Sequence, residues 1–142
     1  VETNHKRIFT ASILRKYIDT HIDKNEYIIV MGDLNDYPSN ESIKNTLLKE
    51  DLVNLMDSIS SHEAGSYNYK GNWNFIDHII LSRNFFQKKS AFKPHDYDVF
   101  KKDWLLYTNQ KGESYPSRTY GGTNWYGGFS DHLAIYCSFH IQ

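Results

Sequence analysis

Residues 75–82, Phe-Ile-Asp-His-Ile-Ile-Leu-Ser, set the tightest constraint on what this chain can fold into. The stretch is short, rich in β-branched and aromatic residues and free of glycine and proline, which predicts a strand. Side chains alternate between the two faces of a strand. Phe75, Asp77, Ile79 and Leu81 therefore share one face, and Ile76, His78, Ile80 and Ser82 the other. Asp77 is a carboxylate on an apolar face, and burying it ionised costs several kcal/mol unless it is paired and hydrogen-bonded. Any fold of this chain must bring it a partner from elsewhere, or leave it half-exposed on an edge strand. A Lys or Arg in a structural ion pair satisfies the requirement. So does an imidazole whose tautomer the carboxylate fixes. His78 is a poor candidate for that imidazole, because it projects from the opposite face.

The rest of the chain supplies a helix and more strands. Ile8, Ala11, Leu14, Ile18 and Ile22 recur at helical spacing, with Arg7, Arg15, Lys16 and Asp19 on the other side; this predicts an amphipathic helix of about four turns. Residues 27–31, Tyr-Ile-Ile-Val-Met, are apolar on both faces and predict a central strand. A second helix is expected over 41–50, capped by Ser39 or Asn40, with a further helical turn over 52–56. Strand is expected over 66–69, a turn at Gly71-Asn72, and a last strand over 133–141 with Leu133, Ile135, Cys137, Phe139 and Ile141 on one apolar face. Residues 88–103 carry no clear pattern. The order, helix and strand and helix and then strands, is that of an α/β (α+β) chain, and 142 residues suit a single domain over 1–142. There is no internal repeat. The chain begins at Val1 with no signal segment, as expected of a processed protein or an excised piece.

Composition removes several classes of function. Sixteen Lys and Arg against 17 Asp and Glu leave a formal charge of −1, so contact with a polyanion has to be local. The apolar runs fall far short of the ~20 residues that a membrane helix needs. Cys137 is the sole cysteine, which excludes an internal disulfide and a cysteine zinc site and leaves the compartment open.

Three polar segments carry candidate chemistry. Gly32-Asp33-Leu34-Asn35 follows directly on the 27–31 strand, where α/β proteins place ligands. Asp33 and Asn35 point the same way in extended chain, and a carboxylate beside an amide suits a hard cation or an oriented water; an Asx turn explains the same residues. In Ser130-Asp131-His132, neighbouring side chains point to opposite sides, so Asp131 and His132 are free for separate tasks, though a strand-leading turn with a satisfied histidine serves as well. Residues 116–128 hold Arg118, Tyr120, Asn124 and Trp125 among four of the eight glycines. They offer a guanidinium for phosphate and aromatic faces for stacking, or merely aromatics that cover the core edge.

Taken together, Gly32-Asp33-Leu34-Asn35, residues 75–82 and Ser130-Asp131-His132-Leu133 resemble the endonuclease/exonuclease/phosphatase superfamily, the deoxyribonuclease-I-like phosphoesterases, over nearly the whole chain. The 116–128 stretch is similar to a bacterial branch of it. The resemblance implies half of a four-layer αββα sandwich, with a mixed, mostly antiparallel sheet and helices on one face. It implies a Mg²⁺- or Mn²⁺-dependent phosphoester hydrolase, foremost an endonuclease or phosphodiesterase acting on DNA or RNA. A lipid or sugar-phosphate phosphatase, or a non-catalytic binding module that kept the fold, stands as the alternative. It implies that Asp33 positions or deprotonates the attacking water, that Asn35 holds this water and a phosphate oxygen, that His132 backed by Asp77 stabilises the pentacovalent phosphate, and that Asp131 lies near the metal. Arg118, Tyr120, Asn124 and Trp125 are expected at the substrate. Family members run to roughly twice this length, which two similar halves account for. This chain is expected to be the carboxy-terminal half, weakly active or inactive alone, with the principal metal ligand in the amino-terminal half. Its exposed sheet face, Ile135, Cys137, Phe139 and Ile141 or the face opposite, is expected to bind that half or a second copy.

Overall fold

The computed structural model describes residues 3–59 and 64–142; His62, expected to be an ordinary surface or core histidine, lies outside them. Helix α1 spans Asn4–His21. The strands are β1 Ile29–Asp33, β2 Leu52–Asn54, β3 Tyr67–Tyr69, β4 Asn72–Asn74, β5 Asp77–Ser82, β6 Phe92–Val99, β7 Leu106–Thr108, β8 Ser114–Pro116, β9 Tyr120–Gly121, β10 Asn124–Trp125 and β11 Ile135–Ile141. Strands β1, β5 and β2 form a three-stranded sheet in the order β1-β5-β2, and β3-β4, β6-β11, β7-β8 and β9-β10 pair two by two. Every described pair is antiparallel.

Strand β5 divides the core. Its Ile80 faces the helix layer and packs with Ala11 and Ile18 of α1, Leu47 and Leu52. Its Ile79 and Leu81 face the other way and pack with Leu55, Met56, Phe75, Phe85, Val99 and Leu133. Burying each such side chain contributes about 1.5–3 kcal/mol. The buried, two-faced strand is therefore β5, and not 27–31 as the sequence predicted. β1 lies at the sheet edge. Val30 meets the helix layer, whereas Ile29 and Met31, opposite Leu81 and Ile79 in register, are 47% and 64% exposed. The apolar run reads as doubly buried, but only one of its faces is covered within these residues.

Other departures have local causes. Arg15, placed by periodicity on the polar side of α1, is 4% exposed. Its guanidinium bonds both Asp51 oxygens at 2.9 and 3.1 Å and Asp19 at 2.5 Å, which compensates its desolvation. The second helix is a wide helical segment, Ser42–Leu48, ended by Lys49 in the left-handed region at φ 44°. Neither Ser39 nor Asn40 caps it; the first residue outside is Glu41, and the Asn40 side chain goes to Asp36. Residues 52–56, expected as helix, give β2 and then a 3₁₀ turn, because β2 completes the ladder on the free edge of β5. The β3–β4 turn falls one residue earlier than expected, at Lys70 and Gly71. Both have positive φ, as a tight two-residue hairpin turn requires. β6 takes up much of 88–103 by pairing with β11, with a register shift between Cys137 and Phe139. Of the two β11 faces expected to be uncovered, that of Tyr136, Ser138 and His140 is exposed, whereas the row of Ile135, Cys137 and Phe139 is half-buried against this chain's own core. Ile141 alone of that row is largely exposed, at 80%.

Candidate active site

The two ends of the site meet across one register pair. Asp33, the last residue of β1, lies opposite Asp77, the first of β5. Because β5 sends odd residues away from the helix layer, Asp77 projects toward the segment that leads into β11. There Leu133 N–H bonds the Ser66 carbonyl at 2.7 Å, His132 bridges to Tyr67, and Leu133 anchors in the core. His132, one residue earlier, is left facing Asp77. Its Nδ1 lies 2.8 Å from Asp77 Oδ2, with the two side chains only 23% and 15% exposed. A carboxylate accepts and does not donate, so Nδ1 carries the proton and Nε2 is left for another partner. The Tyr67 ring lies against the imidazole, with centroids 5.1 Å apart. Ligand atoms of Asp33, Asp77 and His132 all lie within 4.8 Å of one another.

Two carboxylates opposite one another across a strand pair repel, and a positive charge between them relieves the repulsion. Carboxylate oxygens are the donors that a hard divalent ion accepts, and Asp33 and Asp77 present them side by side next to His132. The chemistry of the site therefore fits a metal. Asp131 is exposed, next to His132 but outside this trio.

The loop after β1 is held from the opposite face of β5. Asn35 is exposed with φ 54°, and its N–H donates to Asp33 Oδ1 at 2.8 Å. The chain turns here, so strand alternation does not align Asp33 with Asn35; the Asx turn does. Asp36 is 3% exposed. Ser42 Oγ donates to its Oδ2 at 2.5 Å, and Asn40 Nδ2 donates to Oδ1. Arg7 Nε lies 3.0 Å from Oδ2, an ion pair by distance whose N–H is not aimed at the oxygen. Burial pushes the Asp36 carboxyl up, but Ser42, Asn40 and Arg7 together outweigh it and hold the group below its ordinary value. His78, fully buried, donates from Nε2 to the Asp36 carbonyl at 2.9 Å and accepts from Asn54 Nδ2 at Nδ1, also at 2.9 Å. Burial drives its pKa below the ordinary 6.5, against the pull of Asp77, Asp36 and Asp33. A neutral histidine thus pins the loop that follows Asp33. Sequence reasoning missed Asp36, His78, Asn54 and Tyr67; the one available signal was a histidine between apolar residues on the even face of β5.

The four expected substrate residues separate. Arg118 lines a cleft of about 840 Å³ with Tyr67, Tyr107, Tyr115 and Tyr126. Tyr120, Asn124 and Trp125 do not line it. They belong to the β9–β10 hairpin, where Trp125 sits opposite Tyr120 and both are exposed. With Gly122 at φ 61° in its turn, the glycine-rich stretch folds on itself and presents these three side chains to solvent.

Solved structures share this fold. The humanized TDP2 of D. rerio, carrying 14 mutations, superposes with a TM-score of 0.61 at 15% identity, over 99% of this chain and 50% of that one. A mannosyl-6-phosphatase of Bacteroides thetaiotaomicron VPI-5482 gives 0.57 at 19%, over 95% and 46%. An endonuclease/exonuclease/phosphatase family protein of Bacteroides thetaiotaomicron gives 0.57 at 19%, over 94% and 44%. The chain spans about half the length of these structures. No curated protein matches it. The family model described as Endonuclease/Exonuclease/phosphatase family matches residues 2–141, and the chain belongs to that family.

Proposed function

We propose that this chain supplies the acid–imidazole portion of a metal-dependent phosphoester hydrolase, foremost a phosphodiesterase or endonuclease. The observation that carries the reading is the convergence of Asp33, Asp77 and His132, from three segments distant in sequence, within 4.8 Å. Asp77 holds the His132 proton on Nδ1 and fixes the ring. With a second proton on Nε2, the imidazolium, its charge balanced by Asp77, donates to a non-bridging phosphoryl oxygen, where charge builds in the pentacovalent transition state. Asp33 orients the attacking water and takes its proton, and Asn35 holds that water and a phosphoryl oxygen. The bond from water oxygen to phosphorus forms in line as the bond to the leaving oxygen breaks. Family members generally use divalent metals. Asp131 would be this chain's ligand to the ion, Mg²⁺ or Mn²⁺, which neutralises developing charge when bound. The amino-terminal portion of the same domain would supply the principal ligand and cover Ile29 and Met31.

Hydrolysis of a simple phosphodiester by the intact protein, with and without EDTA, tests the reading. Activity should need the divalent ion. His132→Ala should lower turnover by at least about a hundredfold while leaving thermal unfolding in place. Undiminished turnover in His132→Ala, or activity indifferent to EDTA, refutes it. No turnover by the intact protein on any phosphoester would point to the binding module instead.

A further inference from the structure

The cleft beside His132 has a composition that the hydrolytic residues do not explain. Three hairpins that share no sheet build it: β3–β4 contributes Tyr67 and Lys70, β7–β8 contributes Tyr107 and Tyr115, and the segment that includes β9–β10 is flanked by Arg118 and Tyr126. Tyr107 and Tyr115 face one another in register and stack at 5.8 Å. Tyr107 is 49% exposed and Tyr126 63%, so both of these lining aromatics are accessible from solvent. Gly121 lets one of them lie there: a Cβ at this position would come within 2.7 Å of the Tyr126 ring.

Charge narrows the occupant. The lining carries two cations, Lys70 and Arg118, and a carboxylate adjoins it: Glu113 accepts from the hydroxyl of the lining Tyr115 at 2.9 Å and from Asn109 Nδ2 at 2.7 Å. Arg118 is half-buried and has no carboxylate partner among the described residues. A planar guanidinium in that state is suited to a phosphate. Tyrosine hydroxyls and Ser117 offer acceptors to a sugar as well as to a base, so the aromatic surface, not the supply of acceptors, marks the occupant. The one amide in the lining, Asn68, is already committed, donating to the Ser114 carbonyl at 3.0 Å and accepting from Gly71 N–H at 2.9 Å. Accessible aromatic rings flanked by cations are the arrangement that holds unpaired nucleobases and their backbone. Tyr67 forms the wall between cleft and imidazole, its ring 5.1 Å from that of His132.

We propose that this cleft is a stacking subsite for an unpaired nucleobase adjoining the scissile phosphate, with Arg118 on a neighbouring phosphate. The inference rests on the phosphodiesterase reading above and adds its substrate class: a single strand, or a nucleotide with a free base face. A polymer held only through its backbone would not use it.

Fluorescence anisotropy of the intact protein in EDTA, where no hydrolysis occurs, provides the test. The probes are a labelled five-nucleotide oligothymidylate and an abasic strand of equal length and charge. The oligothymidylate should bind about tenfold tighter, the size of one base stacked on an aromatic ring. Tyr107→Ala and Tyr126→Ala should each remove most of that preference, Tyr107→Phe should retain it, and Arg118→Gln should weaken both strands alike. Equal affinity for the two strands overturns the proposal, as does a preference that survives both alanine variants or displacement of the strand by a hexose 6-phosphate. Hydrolysis in Mg²⁺ is scored separately. Base preference without hydrolysis supports the cleft while sinking the hydrolase reading, and hydrolysis without base preference overturns the cleft alone.

Discussion

His78→Phe offers the sharpest check on how the site loop is held, because its effect should depend on pH in a calculable way. The ring is fully buried and makes two hydrogen bonds, to the Asp36 carbonyl and from Asn54 Nδ2. Phenylalanine keeps the volume and removes both. Each orphaned buried group costs about 1–3 kcal/mol, so at pH 7.5 the variant should lose about 2–4 kcal/mol once some relaxation is allowed. The wild-type histidine carries an acid penalty that the variant lacks. Its folded-state pKa is depressed below the ordinary 6.5 by burial, so below that pH the unfolded chain binds a proton that the folded protein refuses. The stability is fully present above the unfolded value and is lost as pH falls through it, by up to about 1.4 kcal/mol per pH unit. Between pH 7.5 and 5.5 the gap between wild type and His78→Phe should therefore narrow, by up to about 1.4 kcal/mol. The facing carboxylates, Asp33, Asp36 and Asp77, are common to both proteins and largely cancel in the difference. Urea denaturation at the two pH values measures it. A gap that stays constant, or widens in acid, would show that His78 is not a buried neutral clamp.

Three further outcomes follow from the packing. Arg15 is buried while its partners Asp19 and Asp51 are 44% and 57% exposed, so Arg15→Met should change stability by no more than about 1 kcal/mol, whereas Asp19→Ala with Asp51→Ala should cost about 3–5 by stranding the guanidinium; chemical denaturation that ranks them the other way refutes this. Met31→Lys in the intact protein should cost about 1.5–3 kcal/mol if the amino-terminal portion covers β1, and a shift within about 0.5 would show that Met31 faces water there. Gly128→Ala should lower the melting temperature by several degrees, because a Cβ would lie 2.1 Å from the Ser117 carbonyl oxygen, which itself accepts Phe129 N–H at 2.6 Å; an unchanged melting curve would mean that this loop gives way freely.

What the sequence disclosed depends on how many segments each feature involves. The need for a partner at Asp77 was legible, because strand alternation makes one carboxylate in an apolar row conspicuous within eight residues. That His132 would be the partner came through resemblance; from spacing alone a Lys or Arg served equally. Arg15 misled because charge is ordinarily solvated, and only the tertiary arrival of Asp51 makes its burial tolerable. β1 misled in the opposite sense: five apolar residues announce two covered faces, and among the described residues only one is covered. Leu52-Val53-Asn54 is too short to show a period, and it becomes a strand only because β5 offers it an edge. The tyrosine cleft was illegible, since three separate hairpins contribute to it.

The arrangement of β5 explains why a site assembled from such distant pieces can be rigid. Asp77 and His78 are neighbours, yet they serve opposite faces of one strand. Asp77 reaches through His132 to the β11 side, and His78 reaches through Asp36 to the loop behind Asp33. The strand between them is fixed by Ile79, Ile80 and Leu81, which are 3%, 0% and 0% exposed. A single buried strand that clamps both the loop and the imidazole passes its own rigidity to each. Loosening β5, for instance by Leu81→Ala at a cost of about 2–5 kcal/mol, disturbs both clamps together. Loosening the helix layer disturbs mainly the one that His78 makes.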